Sequence, residues 1–258
     1  MSGTSRILRS GQVGPFSSEA LALFARFTTP PTYARSVLIN NLINSLIVSG
    51  VWRQLDALYV MAAADSQAAR LNWKADFFNL TAVSSPTFTA DRGYAGDGVA
   101  SYLDTGYTLS TSNGRYTQNV ASMGFYINTD AAQNVSDMGT PTAYASIGAR
   151  NSGSFMTARS NLNAASTAFA GASTAIGDRA WVRNNSANFE SYLNSGTSAG
   201  TTVGASGALI AETMRLLRGA GTFSTKRMAI GWFGAFPPSS YAALRSANLV
   251  YLTAIGAQ

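Results

Sequence analysis

Three aspartates, Asp91, Asp97 and Asp104, crowd into one short stretch of a chain that has only twelve acidic residues in all. Clustered carboxylates suggest two chemistries. One is calcium ligation, which takes roughly six to eight oxygen ligands. The other is an acid and nucleophile acting together on a glycosidic bond. Intervals of six and seven residues do not follow the D-x-D-x-D-G order of a calcium loop. The neighbouring residues give a plainer reading. Asp97-Gly98 and Asp104-Thr105-Gly106 are turn formers, in which the carboxylate accepts from backbone amides and glycine takes positive φ. Tyr94, Tyr102 and Tyr107 read as strand residues. No metal ligand, catalytic residue or cofactor site is assigned from this stretch.

Missing residue types bound the chemistry further. There is no cysteine, so disulfides, thiolate nucleophiles and cysteine-ligated metals are excluded. There is no histidine, which excludes a Ser-His-Asp triad and imidazole acid–base catalysis. A carboxylate pair, a Ser–Lys dyad or a tyrosine would have to serve. Lysine occurs only at Lys74 and Lys226, and glutamate only at Glu19, Glu190 and Glu212. On this inventory the chain is expected not to be an enzyme.

The net charge is +6. The arginines are scattered, without a basic run, so nucleic acid is not expected as a partner; Arg6 and Arg9 of the N-terminal arm are where to look for it. The most apolar run, SVLINNLINSLIV, is short and broken by Asn40, Asn41 and Asn44, so no membrane span is expected. The opening MSGTSRILRSGQ lacks the apolar stretch of a secretory signal.

The elements follow from periodicity. Residues 1–31 read as an arm interrupted by glycine and proline, with a short helix in SSEALALFARF. Residues 32–75 read as a helical hairpin for attachment or oligomerisation. Leu38, Leu42 and Leu46, with Ile39, Ile43 and Ile47, form the apolar face of its first arm, and the asparagines take the other face. Gly50 ends that arm, and a second helix is expected through VWRQLDALYVMAAADSQAARL. From residue 76 to 258 short aromatic and β-branched runs separated by glycine, asparagine and serine turns indicate an antiparallel β-sandwich. Small-residue stretches around 161–177 and 195–208 read as loops. SSYAALRSANLVYLTAIG closes the chain as a helix, entered through Pro237-Pro238 with Ser239 or Ser240 as cap.

Three segments carry a resemblance. ADRGYAGDGVASYLDTGYTLS, RAWVRNNSANFESYLNSGTSAG and MRLLRGAGTFSTKRMAIGWFGAFPPSSYAALRSANLVYL resemble the strands, hairpin and ending of concanavalin A-like (laminin G/pentraxin-type) jelly rolls. The fold class is therefore mainly β, a concanavalin A-like sandwich behind an arm and a helical hairpin, closed by a short C-terminal helix. The front segment, from Pro30 into SSPTFTADRGYAGDG, is similar to virion proteins of tailed bacteriophages and prophages. That resemblance implies a non-enzymatic structural protein on a virion surface, of fibre or spike type. It would be oligomeric and bound to other virion proteins through residues 1–75, with a lectin-like sandwich facing a host glycan. The alternatives are a capsid head-decoration protein and a polysaccharide-binding or polysaccharide-degrading protein. Hydrolases of this fold carry acids alternating along one strand, and this chain has none; Asp104, Glu190 and Glu212 are the residues a hydrolase would have to use. For glycan or partner contact the candidates are Tyr107, Tyr116, Trp181 and Trp232, because sugar sites stack aromatic rings. No membrane contact and no cofactor are expected.

Overall fold

The structure is a computed structural model that describes residues 16–142, 144–162 and 165–258. The arm expected over residues 1–15, with Arg6 and Arg9, lies outside the described residues. Two antiparallel sheets face each other. In the first, the order is Gly200–Val203, Asn188–Leu193, Gly177–Arg183, Ala121–Ile127, Arg227–Gly234. Leu55–Val60 and Gly93–Ala95 then share the far edge of Arg227–Gly234, and Thr87–Thr89 pairs with Gly93–Ala95. In the second, the order is Thr167–Ala170, Phe155–Arg159, Ser146–Gly148, Met138–Gly139, Thr213–Leu216, Tyr102–Thr108, Thr81–Val83. Mainly β with a closing helix is the class the sequence indicates, and the molecule has it.

Helices cover the outer face of the first sheet. They are α1 (Ser18–Phe24), α2 (Tyr33–Val48) and α3 (Tyr241–Ala254). α2 buries Ile39, Leu42, Ile43 and Leu46, as its apolar spacing requires. Asn40, expected on the solvent face, is buried instead; its Oδ1 accepts from Ser17 N at 2.8 Å. It thereby fixes the entry to α1. α3 buries Tyr241, Leu244, Asn248, Tyr251 and Leu252. A short 3₁₀ turn at Pro238–Ser240 leads into it, and Ser240 makes no side-chain capping bond.

The second arm of the expected hairpin is not a helix. After α2, Trp52–Gln54 forms a 3₁₀ turn and Leu55–Val60 is a strand paired along Arg227–Gly234. The reason is two-sided burial. Ala57 and Tyr59 face the second sheet, whereas Leu55, Leu58 and Val60 face the helices. A strand apolar on both faces loses the polar–apolar alternation that marks a half-buried strand. The stretches read as loops also contain two edge strands, Thr167–Ala170 and Gly200–Val203. Each bonds to one neighbour only, so small polar residues suffice there.

Among the described residues no helix is long and apolar enough to cross a membrane.

Candidate functional site

Strand Leu55–Val60 begins in one sheet near where Tyr102–Thr108 ends in the other, and two loops meet there. The first, residues 72–80, is organised by buried Asn72. Its Oδ1 accepts from Leu58 N and Lys74 N, both at 3.1 Å. Its Nδ2 donates to the Phe77 carbonyl at 3.0 Å and the Asp56 carbonyl at 3.3 Å. Held this way, Phe78 sits at φ 58°, a left-handed conformation that is uncommon for a bulky side chain. The Phe78 carbonyl accepts from Tyr59 Oη at 2.7 Å.

That backbone turn directs Phe77 outward and Phe78 inward. Phe77 is 58% exposed and its ring meets Phe78 edge-on at 5.0 Å. Phe78 meets Tyr107 at 5.0 Å, and Tyr107 meets Phe233 at 4.8 Å. The result is an aromatic ladder from the core to an exposed ring.

The second loop carries Ser112, Asn113, Gly114 and Arg115. Asp56 ties it down: Oδ1 accepts from Arg115 N at 2.6 Å, and Oδ2 accepts from Tyr116 N at 2.8 Å and Tyr107 Oη at 3.3 Å. Gly114 must be glycine for space. A Cβ there would overlap Tyr107 Oη and come within 2.7 Å of Asp56 Oδ1.

Between the loops lies a groove of about 530 Å³, lined by Asp56, Lys74, Phe77, Asn113 and Arg115 among others. Burial raises the Asp56 carboxyl above its ordinary pKa, against the opposing pull of its three donors and Arg115. Burial, and then the Arg115 charge, lower the Lys74 ammonium, while Glu19 and Asp56 pull it the other way. Burial and the Asp56 charge raise the Tyr107 hydroxyl. Lys74 Nζ lies 5.0 Å from the centre of the Trp52 ring. Among the described residues neither Lys74 nor Arg115 is in an ion pair. The arrangement offers two cationic donors, an amide and an exposed ring, with the carboxylate already engaged. A second cavity, of about 210 Å³ under Pro30 and Pro31, is mainly apolar, and its Arg35 is bound to Asp91 at 2.6 Å.

The expected contact residues lie elsewhere. Tyr107, Tyr116, Trp181 and Trp232 are at most 2% exposed, so none of them offers a ring face to a sugar. This corrects their assignment: Tyr107, Tyr116 and Trp181 belong to the core between the sheets, and Trp232 packs under the helices against Phe236 and Tyr241. Large aromatic side chains on central strands are the ones that fill a sandwich core.

The acids are dispersed. Asp97 Oδ1 accepts from Val99 N, Ala100 N and Ser101 N at 2.8–2.9 Å, and Gly98 takes φ 78°, the turn the sequence indicates. Asp104 accepts from Gly106 N at 2.9 Å, but within one continuous strand, where the register against Thr213–Leu216 shifts in a bulge rather than a turn. Glu190 accepts from Tyr192 Oη at 2.8 Å in the first sheet, and Glu212 accepts from Thr142 N at 3.0 Å beside the second. Among the described residues no three histidine, cysteine or acidic side chains gather where they could hold a metal ion.

No family model matches the sequence. No curated protein matches it either. Solved structures do share the fold. A sialidase from Trypanosoma rangeli superposes with a TM-score of 0.53 at 8% identity, over 83% of this chain and 40% of that one. Domain 4 of an extracellular arabinanase from Geobacillus stearothermophilus, solved with arabinotriose, superposes with a TM-score of 0.48 at 13% identity. That match covers 74% of this chain and 98% of the domain. The chain thus spans about two fifths of the sialidase, and identity this low shows the fold alone. The sandwich expected from the jelly-roll resemblance is present.

The sialidase likeness overturns one expectation. The chain was expected not to be an enzyme, yet its fold is shared with one. The absence of histidine and cysteine narrows the chemistry without excluding it, so that expectation is set aside.

Proposed function

We propose that this chain is a carbohydrate-contacting module, with the groove between residues 72–80 and 112–116 as its sugar site. The observation that carries this reading is Phe77. It is an exposed ring backed by a packed aromatic ladder and flanked by Lys74, Asn113 and Arg115. Sites for small molecules combine apolar surface with a few fixed polar groups, and a ring held from behind loses little entropy on stacking. The fold it shares with a sugar-processing enzyme is compatible with this reading and does not carry it. The setting we propose is the one the front segment's resemblance implies, the surface of a phage particle, with other particle proteins contacted through residues 1–75. The head-decoration role is not favoured by any feature of the groove.

A glycan array probed with the wild type and with Phe77→Ala tests the reading. Fully burying a phenylalanine side chain is worth about 1.5–3 kcal/mol, and Phe77 has 58% of its surface left to cover, so the variant is expected to lose at most roughly fivefold to twentyfold in affinity. Reducing ends measured in the same samples read bond cleavage. A wild type that binds no glycan, or a variant that binds as well, refutes the groove as the sugar site.

A further inference from the structure

Lys74 and Arg115 point to the kind of sugar, an inference that rests on the groove being a glycan site. Both cations line the same groove, and neither is in an ion pair among the described residues. The one carboxylate that lines the groove, Asp56, already accepts on both oxygens, from Arg115 N, Tyr116 N and Tyr107 Oη. The nearest aspartate along the chain, Asp76, is bound to Arg26 at 3.0 Å. Arg115 also disfavours the charged form of Lys74, as two like charges brought together must. Two cations against one carboxylate leave the lining of the groove with a net positive charge, in a chain of net charge +6.

We propose that the groove selects an acidic sugar, whose carboxylate sits between the Lys74 ammonium and the Arg115 guanidinium while its ring stacks on Phe77. Guanidinium and ammonium donors bind carboxylate through charge-assisted bonds, about twice as strong as neutral ones. Asn113 supplies a donor and an acceptor for hydroxyl groups. Asp56 is a positioning residue: it fixes the backbone of Arg115, with both oxygens turned to donors of the protein itself.

The test uses trigalacturonic acid and its fully methyl-esterified form, the same sugar with the charges masked, titrated calorimetrically into the full chain. The acid is expected to bind at least tenfold more tightly than the ester, and the difference should shrink as salt rises. Lys74→Met and Arg115→Ala are each expected to weaken the acid by about fivefold or more and the ester by less, so that the preference for the acid shrinks. Arg115 is exposed and Lys74 half-buried, and circular dichroism checks that both variants fold. Equal binding of acid and ester, or variants that bind the acid normally, overturns the proposal while the sugar site stands. Absence of binding to either ligand also overturns it, and the glycan array then decides whether the groove takes sugar at all.

Discussion

Lys226 and Asp137 form an ion pair with both side chains at 0% exposure, and breaking it is the sharpest test of the fold. Nζ lies 3.0 Å from Oδ1. The same oxygen accepts from Ser224 Oγ at 2.6 Å, and Oδ2 accepts from Ala149 N at 2.6 Å. The pair ties the start of Arg227–Gly234, in the first sheet, to the start of Met138–Gly139 in the second. As a whole such a pair contributes little, because desolvating two ions offsets most of their attraction. Losing one member is different: Lys226→Met leaves a carboxylate with two neutral donors and no route to water. The expected cost is about 3–5 kcal/mol, which corresponds to a fall in melting temperature of roughly 6–20 °C for a domain of this size. Adding Asp137→Asn to Lys226→Met should recover about half, because an amide still accepts from Ala149 N and needs no counter-charge. Urea and thermal unfolding of the wild type, the single variant and the double variant measure this. A single variant that loses less than about 1 kcal/mol, or a double variant less stable than the single, refutes the buried-pair reasoning.

Two further outcomes are expected. Gly114→Ala should cost about 1–3 kcal/mol by overpacking against Tyr107 Oη and Asp56, and it should weaken sugar binding by shifting Arg115; unchanged urea midpoint and unchanged affinity would count against the tether. Three backbone donors hold the Asp97 carboxyl well below the usual carboxylate range, so its contribution to stability is fully present above the unfolded value of about 3.9 and is lost as pH falls toward the folded one. The gap between wild type and Asp97→Asn in urea midpoint should therefore be wide at neutral pH and narrow near pH 2.5, and a gap independent of pH would sink the assignment.

The fold was legible where helical spacing or turn residues mark an element and obscure where an apolar run carries neither. α2, α3 and the hairpin of Gly177–Arg183 with Asn188–Leu193 follow from apolar spacing and turn chemistry. Leu55–Val60 does not, because its two faces meet two different apolar neighbours, the opposite sheet and the helices. A continuous apolar run fits a strand or a buried helix equally well, and only the partner, about 170 residues further along the chain, decides between them. Asn40 shows the same limit on a smaller scale. Its polar type suggests solvent, but the backbone it serves belongs to α1.

The site was obscure for a different reason. Residue type marks an aromatic side chain as able to stack, whereas exposure decides whether it does, and exposure is set by partners distant in sequence. The core accepts Tyr107, Trp181 and Trp232 from their strands, and Tyr116 from the loop after Tyr102–Thr108, where its ring packs on Trp181. Phe77 is excluded because Asn72 bends residues 72–78 back on themselves. The doubled Phe77-Phe78 was the available signal: on a loop two successive aromatics cannot both follow the strand alternation, so one must leave the core. Phe78 takes the inward place at the cost of a left-handed backbone, of order 1–3 kcal/mol. Four bonds from Asn72 and one from Tyr59 Oη to the Phe78 carbonyl hold the strained turn. A loop needing only to connect two strands could relax that strain by exposing both rings. Strain kept in place by five hydrogen bonds, with an exposed ring as its product beside two cations, is better accounted for by a surface that has to present that ring in a fixed position.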